Sequence, residues 1–207
     1  MGRITKREKE IKMPILYTVF YTLLAVVIFI DIFLAIKFFE YVYCANIRHQ
    51  PPMVASNATL RRTVINEIRT HYPHAKTICE IGSGFGGLAR TVARHTHAQV
   101  FALENMPFSV LVSKTADLVS LCKNNKTIWC DAFEYLDTTD KKFDIAIAFL
   151  GPTLTPKLKK YKKKIRVLIS LDFAIPTLSP KRIIEIGHGY VIYKKVKYPH
   201  RLFVYEF

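Results

Sequence analysis

The sequence predicts an α/β domain built on a doubly wound parallel sheet, carried behind one apolar helix long enough to cross a bilayer. Three observations lead there. Residues 15–36 form a run of 22 residues with a single charge, Asp31, and about 20 apolar residues span a hydrocarbon core as a helix. Behind that run, short β-branched stretches alternate with amphipathic ones, the pattern of a parallel sheet covered on both faces. A glycine-rich turn, Gly82-Ser83-Gly84-Phe85-Gly86-Gly87, follows the first of those strands and opens a helix.

The elements follow in order. Residues 1–14 are a basic tail in which Arg3, Lys6, Arg7, Lys9 and Lys12 outweigh Glu8 and Glu10; those acids make it a poor organellar transit peptide. Residues 15–36 are apolar all round, unlike a core helix with a polar face. The following FFEYVYCANI lacks the small-residue site of a signal peptide, and Tyr43 before Cys44 argues against lipoprotein processing. A retained transmembrane helix is the expectation. Residues 37–56 read as a juxtamembrane linker ending in the extended Gln50-Pro51-Pro52. From 57 to 207 comes the folded domain. A helix over 57–72 places Leu60, Val64, Ile68 and Tyr72 on one face, with Pro73 closing it. Strands are expected at 77–81, 99–104, 127–131, 143–150 and 166–171, with helices near 87–95 and 107–122, the latter opened by Pro107. Two further strands, 190–196 and 202–207, flank Lys197-Tyr198-Pro199-His200-Arg201 as an antiparallel hairpin.

Composition narrows the class. The 207 residues are 50% hydrophobic and 23% charged, too apolar for a disordered basic protein. The four cysteines, Cys44, Cys79, Cys122 and Cys130, are scattered without a CxxC pair, so neither a disulfide scaffold nor a thiolate zinc site is expected. No metal is expected.

The glycine turn carries the chemistry. Gly82, Gly84 and Gly87 satisfy GxGxxG, so a dinucleotide reading has to be weighed. Against it stand Glu80, a carboxylate two residues before the first glycine that would repel a pyrophosphate, a second acid, Asp131, after the third strand, and too little chain for a separate substrate domain. S-adenosylmethionine has no phosphate but has an ammonium, a ribose diol and an adenine. Acids ending strands one, two and three, Glu80, Glu104 and Asp131, suit those groups in turn. The same reading assigns Ser83, Gly86, Asn105 and Ala132 to the cofactor. The plainer alternatives are a surface acid at Glu80, a tight turn at the glycines and a helix N-cap at Asp131.

These segments resemble class I S-adenosylmethionine-dependent methyltransferases. They are most similar to the single-span lysine methyltransferases of mitochondrial ATP synthase subunit c and the adenine nucleotide translocase, and to their bacterial relatives. Pro51-Pro52-Met53-Val54-Ala55-Ser56 stands at that family's proline segment, Glu80–Gly87 at its DLGSGDGR-like loop, and Glu104-Asn105-Met106-Pro107-Phe108 at its ELNPW-like segment. Phe149-Leu150-Gly151-Pro152-Thr153 resembles its FLAPS-like strand end, Asp172–Pro176 its RFPLP-like segment and Gly187-His188-Gly189 its GEG turn. The resemblance implies a seven-stranded Rossmann-like sheet with a C-terminal hairpin. It also implies lysine N-methylation of a membrane-associated protein. The four unpaired cysteines and a cytosolic cofactor favour the domain on the cytoplasmic side of a bacterial inner membrane or the matrix side of a mitochondrial one. Phe85 replaces the loop aspartate, Gly87 its arginine and His188 the glutamate of the turn.

The acceptor pocket is expected over the C-terminal strand ends, lined by Leu150, Gly151, Pro152 and Thr153, with Pro51 and Pro52 closing it. No catalytic base is legible, and His71, His74, His95 and His97 read as surface residues. The chain lacks the Asn-Pro-Pro-Tyr segment of many DNA amino-methylating enzymes, and no nucleic-acid partner is expected. The run from Lys157 to Arg166 is a solvated helix end or an anionic-surface patch. Residues 157–207 hold 13 basic against 3 acidic residues, +10 of the chain's +15. Its later lysines should lie far from the pocket, which favours a bilayer over a nucleic acid as their partner. Two other functions remain open: methylation of a lipid or small molecule, and a catalytically inactive cofactor-binding membrane protein, the latter suggested by Phe85.

Overall fold

The computed structural model describes residues 6–43, 56–191 and 196–207, and the chain divides into two compact units, Met1–Pro52 and Met53–Phe207. In the first, helix α1 (Lys6–Tyr43) contains the stretch Tyr17–Ile36, long and apolar enough to cross a membrane, with none of that window buried. The Thr22 hydroxyl donates to the Thr18 carbonyl at 2.8 Å, which satisfies a polar group inside an apolar helix. The helix runs on through residues 37–43, where linker was expected. The rest of that linker, with Pro51 and Pro52, lies outside the described residues.

In the second unit, α2 (Ala58–His71) starts at Asn57, whose side chain accepts from Leu60 N–H at 2.8 Å. It buries Leu60, Val64, Ile65 and Ile68. Seven strands make one sheet: β1 (Thr77–Ile81), β2 (Gln99–Glu104), β3 (Asn125–Trp129), β4 (Phe143–Ala148), β5 (Ile165–Leu171), β6 (Arg182–Val191) and β7 (Val196–Glu206), in the order β3-β2-β1-β4-β5-β7-β6. The first five are parallel, and β7 runs antiparallel between β5 and β6. Helices α2, α3 (Gly87–His95) and α4 (Pro107–Val119) cover one face over a core that includes Val64, Ile78, Val92, Val100 and Ile145. The other face carries α5 (Ala132–Thr138), α6 (Gly151–Leu154) and a 3-10 helix, Thr155–Tyr161, over Phe101, Leu103, Leu136, Leu158 and Tyr205. With both faces buried, the strands read as continuous apolar runs, and the expected seven-stranded Rossmann-like sheet with its terminal hairpin is present.

Three boundaries differ from expectation. Strand β3 begins and ends two residues early, because Asp131 is used to cap α5. Strand β4 stops at Ala148, ahead of Gly151 at φ 75°. The hairpin is longer than expected, and Lys197–Arg201 lies within β7 rather than in the turn. Pro199 is tolerated because β7 is paired only with β6 there, its pairing with β5 being confined to Leu202–Glu206.

Residues far apart in sequence are joined by an ion pair. Arg182 donates to Glu67 Oε1 through Nε at 2.9 Å and Nη2 at 2.5 Å, and Nη2 also reaches the Tyr72 hydroxyl. Glu67 is buried, so removing its partner would strand a carboxylate. Arg182→Ala should therefore destabilise the domain by about 2–4 kcal/mol, read by thermal or urea unfolding, and Glu67→Gln in the same chain should recover part of that loss.

Candidate functional site

The site lies at the C-terminal ends of β1, β2, β3 and β4, where a doubly wound sheet leaves a crevice. The turn after β1 is pinned to β2: Gly82 N–H and Ser83 N–H both donate to the Leu103 carbonyl, at 2.9 and 3.0 Å. Gly84 N–H donates to Glu104 Oε2 at 2.6 Å, while Glu104 Oε1 accepts from Asn105 N–H and Met106 N–H, each at 2.9 Å. One buried carboxylate thus holds three backbone donors from two loops. Gly82 and Gly86 have φ of 73° and 67°. A Cβ at Gly82 would lie 2.9 Å from Leu150 Cδ2, and one at Gly86 2.2 Å from Ser113 Oγ. Both positions therefore need glycine for conformation and for space.

Glu80 is the penultimate residue of β1, and it is buried. Burial pushes its pKa up to about 8, against the pull of the Ala89 N–H and of Arg61, with Glu104 adding to the rise. Among the described residues, Glu80 Oε2 and Ser83 Oγ are buried polar atoms without a hydrogen-bond partner. Two buried polar groups without partners, one at the end of β1 and one on the glycine turn, are what a site for a polar ligand presents. Asp131 is the N-cap of α5, its Oδ1 accepting from Phe133 N–H at 2.8 Å and Glu134 N–H at 3.2 Å. Ala132 begins that helix. The structure therefore gives Asp131 the capping role, with Oδ2 outside the cap.

The residues replacing the expected loop pattern have partners. The Phe85 ring meets Phe108 edge-to-face at 6.3 Å. The guanidinium of Arg61, from α2, lies 2.7 Å from where a Gly87 Cβ would be, so a cation stands by the loop from a different element. Arg90 Nη2 donates to the Phe85 carbonyl at 2.5 Å and its Nη1 pairs with Asp117 at 3.1 Å, tying the turn to α4. Of the expected pocket residues, Leu150 and Gly151 are buried beside the turn, and Pro152 and Thr153 are exposed.

Three groups were not legible in the sequence. Phe149 and Phe173 pair at 6.3 Å across the tops of β4 and β5. Asp172, held at φ 62°, pairs with His200 Nδ1 at 2.7 Å and accepts from Arg201 N–H at 3.1 Å. The third is a cleft of about 760 Å³ bounded by Asp131, Phe133, Lys157, Lys159, Lys160 and Lys162. The early lysines of the 157–166 run line this cleft, while Lys164, expected far from the cofactor pocket, bonds the carbonyls of Leu136, Asp137 and Thr139. Burial raises the thiol pKa of Cys79, and that of Cys130 to about 11, so neither is a thiolate at neutral pH.

No protein-family model matches the chain, and no curated protein matches it in sequence. Solved structures share its fold. An RNA methyltransferase from Salinibacter ruber, in complex with S-adenosyl-L-homocysteine, aligns over 74% of this chain and 93% of its own, at 16% identity and a TM-score of 0.58. A precorrin-6y C5,15-methyltransferase from Geobacter metallireducens aligns over 75% and 91%, at 12% identity and 0.56. The M. capricolum protein TrmK, with the same cofactor product, aligns over 69% and 67%, at 14% identity and 0.50. The chain therefore has the class I methyltransferase fold.

Glu104→Gln offers one carbonyl oxygen where three donors now converge, and turns an amide towards another donor. Gly84 N–H should lose at least about tenfold in protection from hydrogen exchange, with smaller changes in the core strands, read by exchange mass spectrometry or NMR.

Proposed function

We propose that the chain is a membrane-anchored S-adenosylmethionine-dependent methyltransferase whose acceptor is a lysine side chain of a membrane-associated protein. The observation that carries the cofactor reading is the pair of buried polar atoms without a partner, Glu80 Oε2 and Ser83 Oγ, beside a turn in which Gly82 and Gly86 leave no room for a Cβ. Glu80 would take the ammonium end and Glu104 a ribose hydroxyl through its remaining acceptor capacity. Asp131 Oδ2 and the Ala132 backbone would take the adenine, with Asn105 and Gly86 completing the cradle. When bound, S-adenosylmethionine supplies an electrophilic methyl group on a sulfonium.

This chain's own residues have three tasks: to admit the amine, strip its proton and hold it in line. The Phe149–Phe173 pair gives an aromatic wall that favours a cationic side chain at entry, and burial there lowers the ammonium pKa. The lysine acceptor itself is supported by the resemblance of the pocket segments, and the membrane location by the apolar stretch Tyr17–Ile36. The lysines 157–166, expected on the bilayer, remain a second candidate for that surface.

The deciding experiment is methyl transfer from labelled S-adenosylmethionine in membranes with and without this chain, followed by fractionation. Label in a protease-sensitive band, retained as methyl-lysine on hydrolysis, is expected. Label in lipid would replace the acceptor, and no label together with no cofactor binding would overturn the enzyme reading.

Glu80 supplies a pH test. Its folded-state pKa, about 8, lies above that of an ordinary carboxylate. The cofactor-free domain therefore keeps a proton that the unfolded chain has released, and its stability falls as pH rises from about 5 to 8. An ammonium beside Glu80 favours the carboxylate, so binding at pH 7 should release close to one proton, measured by calorimetry in buffers of different ionisation enthalpy. Glu80→Gln should abolish that release and weaken binding by about tenfold or more.

A further inference from the structure

Outside α1, the exposed large apolar side chains among the described residues are Leu111, Leu118, Val119, Leu121, Trp129 and Ile183. Five of the six belong to α4, the turn that ends it and the neighbouring strand β3. The core does not need them: α4 buries Ser109, Val110 and Ser113 against the sheet, and Leu111 and Leu118, seven residues apart, project from the opposite side. Trp129 is two residues on from Thr127 and shares its face of the strand; the Thr127 hydroxyl bonds Ser113 of α4 at 2.9 Å, so Trp129 lies on the α4 side of β3, at the outer edge of the sheet. Its indole donates to the Asn105 carbonyl at 3.1 Å, just ahead of α4. Leu121 is 78% exposed and sits at φ 51°, a conformation costing a leucine about 1 kcal/mol that glycine or asparagine would avoid. Neither packing nor backbone accounts for a leucine there.

Charge completes the pattern. Between residues 105 and 130 the one acid is Asp117, and it is taken by Arg90, Asn125 and Thr127. The other charged residues of the segment, Lys114, Lys123 and Lys126, are all exposed. We propose that this strip is the surface by which the domain lies on an anionic bilayer, with Leu111, Leu118, Val119, Leu121 and Trp129 entering the headgroup region and the three lysines meeting lipid phosphates. The inference rests on the anchoring reading above. Apolar side chains bordered by cations, with tryptophan among them, are the composition of interfacial binding surfaces. A span in the same chain also keeps the domain at high effective concentration, so a weak patch suffices. The rival surface, residues 157–166, lies on the other face of the sheet and shows no exposed large apolar side chain. Several of its lysines are engaged: Lys160 with Asp137, Lys159 with Thr177, and Lys164 with the carbonyls of Leu136, Asp137 and Thr139.

The chain has one tryptophan, and it is in the strip, so the full chain carries its own probe. It would be reconstituted into phosphatidylcholine vesicles containing phosphatidylglycerol, with bromine on the acyl chains near the headgroups. Trp129 emission should shift to shorter wavelength and fall about twofold with the brominated lipid. Leu118→Glu with Leu121→Glu should abolish both effects while the chain resists carbonate extraction and keeps its circular dichroism, and high salt should weaken them. A Trp129 that stays open to acrylamide and insensitive to brominated lipid would overturn the inference and leave the anchor standing. So would quenching that survives the double substitution, or is lost instead on changing Lys157, Lys159, Lys160 and Lys162 to Gln. A concentration-dependent shift in detergent without lipid would assign the strip to a second copy. Loss of the chain to carbonate would remove the anchor, and this inference with it.

Discussion

The candidate site depends on the carboxylate of Glu104. A glycine turn has no side chains to hold it, and three of its residues sit at positive φ, where the backbone has little reason to stay unless something grips it. Glu104 reaches across from the next strand and takes Gly84 N–H on one oxygen, then the start of its own outgoing loop on the other. Leu103 holds the rest of the turn through its carbonyl. The turn after β1 and the loop after β2 therefore keep one spacing, and Glu80 can remain buried beneath them. Burial is what chiefly raises the pKa of Glu80; the Ala89 N–H and Arg61 offset part of that, and repulsion from Glu104 adds to the rise.

The fold was legible because its signals are periodic and local. Apolar runs bounded by polar turns marked β1 and β2 to the residue, and the 3.6-residue pattern from Leu60 to Ile68 marked α2. What failed to show has a physical reason. The hairpin turn was misplaced because Pro199 reads as a breaker unless one knows that its strand has a neighbour on one side only. Helix α5 was legible only as a possible N-cap at Asp131, because seven residues are too few for a period to register.

The site was half legible. Glycines and acids at strand ends are readable by position, and the structure brings Glu80, Glu104 and the turn together at the ends of β1 and β2. Asp131 lies near the predicted place, but its oxygen is committed to a cap, as the plainer alternative held. Arg61, His200 and Phe173 come from elements distant in sequence, and no spacing rule connects Arg61 to Gly87 or His200 to Asp172. Only the order of strands brings them together. The lysine run shows the converse: its charge was obvious, but its placement beside Asp131 required knowing that the segment coils as a tight 3-10 helix.

The position of β7 has a consequence for how the chain assembles. β6 is made before β7 but lies outside it, so β6 has no partner in the growing sheet when it forms. Until β7 slides into the gap, β5 presents a bare edge, and the core on that side lacks Phe203 and Tyr205. Closing the sheet needs β7, the last strand made, to pair with both β5 and β6, a non-local step expected to be slow. An open strand edge next to unburied aromatic residues is also a template for wrong pairing with other chains. The interval between making β6 and seating β7 is where this fold is most exposed to aggregation.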